Sequence, residues 1–162
     1  MELLSLKKNA IKDSKWFMEQ AYKEALKAYR KNEVPIGAVI VKNGEIIARG
    51  HNEKELKQDA TLHAEITAIR KACKKLNSWR LNDCDMYVTL EPCPMCAGAL
   101  IQARIRTLYI GALDPRAGAA GSVIDVFNVK EFNHKVEIIY GIMEEECSEI
   151  LKRFFRELRA KE

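Results

Sequence analysis

The chain has 162 residues, of which 48% are hydrophobic and 31% are charged, and its formal net charge is +4. These values exclude a disordered chain and suit one globular domain with a sizeable core. No segment has the pattern of a signal peptide, and no apolar run is long enough to cross a membrane. We therefore expect a cytoplasmic protein with no membrane partner, whose small positive charge permits a nucleic-acid partner without requiring one.

The first half of the chain predicts a helix, a hairpin and a loop. Apolar residues recur at spacings of three and four between residues 14 and 30, which favours an amphipathic helix. The segment VPIGAVIVKNGEIIARG contains two β-branched runs around Asn43 and Gly44, a pair that tolerates the positive φ of a tight hairpin turn. The polar stretch over residues 51–61 is expected to be a loop.

The second half of the chain predicts alternating helices and strands. After an opening hairpin, this alternation favours a single α/β domain over residues 1–162, with helices packed on a five-stranded sheet. Residues 1–12 form an extension to which we assign no role. The predicted elements are helix 62–76, strand 85–90, helix 94–103, strand 107–111, a glycine-rich loop over 112–122, strand 135–140 and helix 143–159.

Two short motifs place metal-binding side chains at predicted helix starts. HAE supplies His63, and PCPMC supplies Cys93 and Cys96, whose spacing lets them project to the same side of a helix. One imidazole and two thiolates suit zinc, and positive helix ends would help keep the thiols ionised. The odd number of cysteines in a chain without an export signal argues for reduced thiols. The sequence therefore predicts a zinc site.

The number of available ligands bears on the kind of site. A redox CxxC pair would not need the upstream histidine motif, and a structural zinc would need a fourth protein ligand. Cys73 lies roughly 15 Å along the predicted helix from His63, and Cys84 lies on the order of 20 Å from the CxxC pair. Cys147 stays open as a fourth ligand. The simplest count gives three ligands and an open position, which is typical of a catalytic zinc.

Glu65 follows His63 by two residues, which places a carboxylate near the metal without making it a ligand. Zinc lowers the pKa of a bound water molecule, and a neighbouring carboxylate can accept its proton and pass it on. The alternative is an acidic residue that complements the helix dipole from the first turn. Beside His63 and ahead of PCPMC, the catalytic role is favoured.

HAE followed by PCPMC is the signature of the zinc-dependent cytidine/deoxycytidylate deaminase superfamily, which this chain resembles. Further segments are similar to the bacterial tRNA-specific adenosine deaminases, and the similarity runs from about residue 14 to about residue 159. The glycine-rich loop and the NHKVEI strand are its more specific marks. The similar segments are EVPIGAVIV, GHN, DATLHAEITAIR, MYVTLEPCPMCAGALI, YIGALDPRAGAAGS, FNHKVEI and GIMEEECSEILKRFFRELR.

The resemblance implies a fold and a metal site. The fold is the cytidine deaminase-like one, a three-layer α/β/α sandwich with a five-stranded mixed sheet. The metal is one Zn²⁺ per subunit, held by His63, Cys93 and Cys96, with Glu65 as the catalytic proton shuttle.

The resemblance also implies a reaction, the hydrolytic deamination of adenosine to inosine at the wobble position of tRNA anticodons. It places Asn52, the backbone N–H of Ala64, Asp114 and Arg116 at the substrate. Adenosine in an anticodon loop is already unpaired, so its extrusion costs less free energy than extrusion from a duplex.

The implied partners are the anticodon stem-loop of tRNA and a second copy of the chain in a homodimer. The second copy would cover apolar surface left by the strand and helix over residues 87–101. Candidate RNA contacts on the last predicted helix are Phe154, Phe155, Arg156 and Arg159. The alternative for this helix is an ordinary charged surface, with ion pairs such as Glu149 and Arg153.

Two other functions remain open. A guanine or other free-nucleobase deaminase of the same superfamily would also suit HAE and PCPMC, although the loop over residues 111–122 argues against it. A non-catalytic, zinc-stabilised RNA-binding module is the alternative of another class, and the presence of Glu65 argues against it. A fourth ligand from Cys147 would remove the argument for an open zinc position.

Overall fold

Five strands form one mixed sheet at the centre of the computed structural model, which describes the backbone of residues 2–162 and the side chains of residues 14–162. The strands are β1 (Gly37–Lys42), β2 (Glu45–His51), β3 (Cys84–Leu90), β4 (Thr107–Ala112) and β5 (Glu137–Tyr140). Their order is β2-β1-β3-β4-β5. β1 is antiparallel to β2 and β3, whereas β3, β4 and β5 are parallel to one another.

Helices cover both faces of this sheet. The helices are α1 (Glu2–Arg30), α2 (Lys54–Lys57), α3 (Ala64–Leu76), α4 (Pro94–Gln102) and α5 (Glu144–Ala160). One core lies between the sheet and α3 and α4, and it is lined by the small side chains Ala64, Ala68 and Ala97. The other core lies under α1 and α5 and includes Met18 and Cys147. The three-layer α/β/α architecture and the mixed five-stranded sheet are therefore confirmed.

Several element boundaries differ from the sequence-based expectation. The predicted helix start at residue 14 falls inside α1. The side chains of the extension, residues 1–12, lie outside the described ones. The loop predicted over 51–61 contains α2, and a short 3-10 turn, Val126–Asn128, was not expected. Among the described residues, no helix is both long and apolar enough to cross a membrane.

The sheet is buried on both faces near β3. Tyr87 is only 4% exposed, because Phe17 of α1 packs against it and the Tyr109 ring stacks on it at 4.2 Å. The strand part of the expected apolar surface over residues 87–101 is therefore buried within the chain, whereas Met95 of the helix is 37% exposed.

Gly50 lets α3 approach the sheet closely. A Cβ atom at Gly50 would collide with the carbonyl oxygen of Ala64 and lie 2.8 Å from the backbone nitrogen of Ala68. Only glycine permits this contact between β2 and the first turn of α3. The contact fixes the helix start that carries His63.

The carboxyl ends of β3 and β4 meet at one edge of the sheet, where Leu90 pairs with Ala112. Beyond this edge, β3 continues into the segment that carries Cys93, and β4 continues into the glycine-rich loop. Crevices at the carboxyl ends of parallel strands are the usual ligand sites of α/β proteins. The functional site is therefore expected at this edge.

Candidate metal centre and substrate pocket

His63, Cys93 and Cys96 converge at the starts of two neighbouring helices. His63 immediately precedes α3, and Cys93 immediately precedes α4, with Cys96 in the first turn. The Nδ1 atom of His63 lies 3.6 Å from the sulfur of Cys93 and 3.5 Å from that of Cys96. All three potential ligand atoms lie within 4.8 Å of one another. The predicted grouping of these residues is thus present in the fold.

The protonation of this cluster suits the uptake of a cation. A hydrogen bond from Cys96 lowers the pKa of Cys93 to about 4, against the opposing effect of burial, and His63 adds to the lowering. The same hydrogen bond, together with burial, raises the pKa of Cys96, and the bond to Cys93 raises the pKa of His63. Hydrogen bonds thus link the three side chains, and a metal that displaces their protons would replace those contacts with coordination bonds.

The remaining cysteines lie apart from the cluster. Cys147 is buried in the core under α5, where a Cβ atom on Gly111 would lie 2.7 Å from its sulfur. Cys73 contacts the carbonyl oxygen of Trp79, and Cys84 belongs to the core on the α3 and α4 side. Among the described residues, only the one His/Cys/Cys group has metal-ligand spacing. The arrangement therefore offers three protein ligands.

Glu65 lies in the first turn of α3 and is only 3% exposed. Burial raises the pKa of its carboxyl group, while the neighbouring His63 opposes that rise. Glu65 also interacts with Cys93 and Cys96, so its carboxyl group adjoins the cluster. A carboxyl group whose pKa is raised in this way holds a proton more readily than an exposed one, which suits a group that passes protons on.

A pocket of about 730 Å³ opens beside the cluster. It contains His63, three of the four substrate-binding candidates, Asn52, Asp114 and Arg116, and one face of α5. The fourth candidate, Ala64, is buried and does not line the pocket. A separate groove of about 850 Å³ between α1 and α5 contains none of the cluster residues and is lined by several glutamates, which would repel RNA phosphates. The first pocket is lined by Val34, Ile36, Asn52, Lys54, His63, Leu90, Ala112, Leu113, Asp114, Pro115, Arg116, Ser148, Leu151, Lys152, Phe155, Arg156 and Arg159.

Asn52 is held on one wall of this pocket by its own turn. It is 5% exposed, its backbone N–H donates to the carbonyl of Ile36, and its Oδ1 accepts the N–H of Lys54 at 3.3 Å. The buried carboxylate of Glu33 accepts the N–H groups of Glu55 and Leu56 at 3.2 and 2.5 Å. Glu33 therefore anchors the start of α2 and, with it, the wall that carries Asn52.

Asp114 and Arg116 of the glycine-rich loop also line the pocket. The Asp114 carboxylate accepts the backbone N–H groups of Arg116 and Ala117 at 3.0 and 3.3 Å, as in an Asx turn. Asp114 therefore shapes the turn that presents Arg116. Both residues line the pocket, as the sequence predicts, but the Asp114 side chain is already engaged within the loop.

Three of the four candidate RNA contacts lie on the face of α5 that lines the pocket. Phe155, Arg156 and Arg159 line the pocket. Phe154 does not, since it is only 9% exposed and its ring packs against Tyr29 at 6.0 Å. Successive helical residues point about 100° apart, so neighbouring phenylalanines face the core and the pocket in turn. Phe154 is accordingly removed from the RNA contacts.

The ion pairs on α5 also differ from the expected one. Glu149 pairs with Arg156 at 3.1 Å, and Arg153 pairs with Glu157 at 3.1 Å, so the predicted Glu149–Arg153 pair is wrong. Arg153 lies over the Tyr29 ring, on the side of α5 that faces α1. This leaves Arg156 and Arg159 as the arginines of α5 that line the pocket.

Two buried glutamates were missed by sequence reasoning. Glu33 and Glu91 are 1% and 2% exposed; Glu33 accepts backbone N–H groups from α2, and Glu91 accepts them from the glycine-rich loop. The sequence offers one indication of their importance: Glu33 directly precedes VPIGA, and Glu91 directly precedes PCPMC. Their partners lie more than 20 residues away, so the contacts themselves could not be inferred.

Comparisons with known proteins agree with this geometry. The family described as MafB19-like deaminase matches residues 11–159. A tRNA-specific adenosine deaminase of Bacillus subtilis is 52% identical over 145 residues, which cover 90% of each chain. A solved tRNA deaminase, described as editing A to I at the wobble position, superposes with a TM-score of 0.81 at 49% identity, over 83% of this chain and 98% of that one.

A guanine deaminase of Bacillus subtilis is a more distant structural relative. It is 45% identical, but the match covers only 60% of this chain and 62% of that one, with a TM-score of 0.58. The similarity to tRNA deaminases therefore extends over more of both chains than the similarity to this guanine deaminase.

Proposed function

Because the chain belongs to the tRNA-specific adenosine deaminase family, we propose that it converts adenosine to inosine at the wobble position of tRNA anticodons. The observation that carries this proposal is one pocket that joins the His/Cys/Cys cluster to a wall of cationic side chains. The cluster supplies the chemistry, and the cations suit the phosphates of an RNA loop.

His63, Cys93 and Cys96 are proposed to hold one zinc ion per subunit. Imidazole and thiolate are preferred zinc ligands, and three protein ligands leave a position for water, as in catalytic zinc sites. When bound, zinc would supply the Lewis acidity that makes a water molecule nucleophilic at neutral pH. Cys93, with its pKa lowered to about 4, is ready to act as a thiolate ligand.

Glu65 is proposed to move the protons of the reaction. Its carboxylate takes a proton from the attacking water and delivers it to the adenine ring nitrogen, while the oxygen bonds to the carbon that bears the amine. The remaining hydroxyl proton then passes through Glu65 to the amine, the carbon–nitrogen bond breaks as the carbonyl forms, and the amine leaves as ammonia. Adenosine and water thus become inosine and ammonia, and burial beside the cluster lets Glu65 serve in both directions.

Other residues of the pocket are proposed to orient the nucleoside. The Oδ1 atom of Asn52 is engaged by Lys54, which leaves its amide NH₂ group to donate to the substrate. The N–H of Ala64 belongs to the first turn of α3, where helical N–H groups have no partner within the helix. Arg116, which also lines the pocket, suits a phosphate of the flanking nucleotides.

The anticodon stem-loop is proposed to extend from the pocket along α5. Phe155 is 38% exposed and offers a ring for base stacking, while Arg156 and Arg159 offer phosphate contacts. Lys152 of α5 and Lys54 of α2 also line the pocket, so it carries cations on two sides.

The proposed assembly is a homodimer in the cytoplasm. Exposed apolar side chains support it, among them Met95 at 37% and Leu56 at 59% exposure, since both lie on helices beside the pocket. The five free cysteines suit a reducing compartment. Light scattering over a dilution series tests the dimer, and a monomer at micromolar concentration would contradict it.

One experiment tests the proposed activity. Zinc-loaded protein is incubated with an anticodon stem-loop RNA that carries adenosine at the wobble position and, separately, with guanine and with cytidine. We expect inosine in the RNA, and we expect its formation to stop in the Glu65→Ala variant. The matched control is Glu145→Ala, which removes an exposed glutamate of α5 and should leave the rate unchanged.

The other outcomes identify the alternatives. Ammonia released from guanine but not from the RNA would contradict the proposal and favour a free-nucleobase deaminase. Tight RNA binding without turnover of any substrate would contradict it in favour of a zinc-stabilised binding module.

A further inference from the structure

We propose that Glu91 is a positioning residue, which holds the loop over residues 113–122 in the conformation that presents Arg116 to the RNA. We name this part of the glycine-rich loop the substrate loop. The inference rests on the proposed function, because it concerns how the same pocket binds an RNA loop. Glu91 itself does not line the pocket and acts through the backbone of the substrate loop.

The Glu91 carboxylate is surrounded by donors from the substrate loop. Its Oε1 atom accepts the backbone N–H of Asp114 at 3.0 Å, and its Oε2 atom accepts those of Ala120 and Ser122 at 2.9 and 3.1 Å. The hydroxyl of Ser122 also donates to Oε1. One buried side chain thus binds both ends of the loop.

The loop is shaped to receive this carboxylate. A Cβ atom at Gly118 would collide with the Glu91 carboxyl group, so only glycine lets the backbone pass at this point. The N–H of Ala119 donates to the carbonyl of Pro92 at 2.8 Å, which joins the loop to the segment directly before Cys93. The substrate loop is therefore fastened to the metal-ligand segment at Glu91 and Pro92.

Arg116 is reached through a short relay. Glu91 fixes the backbone of Asp114, and the Asp114 carboxylate in turn accepts the backbone N–H of Arg116 at 3.0 Å. Arg116 itself is exposed and lines the pocket. A long, mobile side chain gains affinity for a phosphate when its backbone is fixed in advance, because less conformational entropy is lost on binding. Glu91 would therefore act on RNA affinity.

The Glu91→Gln substitution tests this role with almost no change of volume. One carboxylate oxygen becomes an NH₂ group, which cannot accept the loop N–H groups. RNA affinity is measured by fluorescence anisotropy with the adenosine stem-loop, in a Glu65→Gln background that stops turnover. We expect affinity to fall about tenfold, as for the loss of hydrogen bonds to a charged group. Metal analysis should still find one zinc per chain.

The coupling to Arg116 separates positioning from general support. Arg116→Ala alone should weaken binding. Adding Glu91→Gln to it should weaken binding less than about twofold further, because the side chain that Glu91 positions is then absent. In the active background, Glu91→Gln should raise KM for the RNA while kcat changes little. The matched control is Glu24→Gln, a carboxylate buried to the same degree but placed on α1, which should leave RNA affinity unchanged.

Three results would overturn the inference: an unchanged RNA affinity, full additivity with Arg116→Ala, or loss of zinc from the Glu91→Gln protein. If that protein does not fold, Ser122→Ala removes one donor to Glu91 and should give a smaller loss of affinity that again depends on Arg116. A wild-type protein that binds the stem-loop without forming inosine would contradict the proposed function, yet the same cycle would still decide the role of Glu91.

Discussion

The Nδ1 atom of His63 lies 3.5 Å from the sulfur of Cys96, although 33 positions separate the two residues in the chain. This contact joins the starts of α3 and α4. We expect Cys96→Ser to reduce bound zinc from one per chain to nearly none, as measured by metal analysis. Because zinc binding stabilises the folded state, Tm in the presence of zinc should also fall by several degrees.

Cys73→Ser is the matched control for that prediction. Cys73 is partly exposed and lies near the end of α3, outside the cluster. Its substitution should leave zinc content at one per chain. Equal loss of zinc from the two variants would contradict the three-ligand site.

Glu65→Gln should separate chemistry from binding. The amide keeps the size of the buried side chain but cannot carry protons, so kcat should fall by about 10²–10⁴-fold. Stem-loop affinity should stay within a few-fold of the wild type, since the pocket residues Arg116 and Phe155 are unchanged. Single-turnover kinetics and anisotropy measure the two quantities, and a large loss of affinity with normal kcat would contradict the role.

The His/Cys/Cys cluster was predictable because local pattern alone brings its members to helix starts. Pro94 occupies the first turn of α4, which places Cys93 at the cap and Cys96 inside the helix. The residues that organise the walls of the pocket were not predictable in the same way. Glu33 and Glu91 bind backbone N–H groups, which every sequence offers at almost every position, so no spacing marks the partner.

The orientation of α5 was an intermediate case. The buried positions Cys147, Ile150 and Phe154 follow the spacing of an amphipathic helix. That spacing identifies Phe154 as a core residue and Phe155 as its exposed neighbour. The prediction that both phenylalanines contact RNA does not agree with this spacing. The pairing of Glu149 with Arg156, in contrast, depends on side-chain conformations that the sequence does not specify.

The two neighbouring phenylalanines should therefore differ in their effects. Phe155→Ala should weaken stem-loop binding by about 1–3 kcal/mol, the usual contribution of one stacked base, with little change in Tm. Phe154→Ala should lower the free energy of unfolding by about 3 kcal/mol, because it leaves a cavity beside Tyr29. Chemical denaturation and anisotropy on both variants check this, and the reverse pattern would contradict the orientation of α5.

Acid stability should depend on Glu24, a buried carboxylate on α1. Burial alone would raise its pKa, but hydrogen bonds from His51 and Lys27 outweigh burial and lower the pKa from 4.5 to about 2. The His51 Nδ1 atom lies 3.7 Å from one carboxylate oxygen, and Lys31 contacts the other ring nitrogen of His51 at 3.0 Å. The ionised carboxylate is therefore favoured in the folded state.

A depressed folded-state pKa stabilises the fold above the unfolded pKa, and this stabilisation is lost as pH falls through the folded one. Glu24→Gln should accordingly cost on the order of 2 kcal/mol at pH 7, and the difference from wild type should shrink between about pH 4.5 and pH 2. Urea denaturation of both proteins across that range measures it, and subtraction cancels the other carboxylates. A difference that stays constant down to pH 2 would show that the charge of Glu24 does not stabilise the fold.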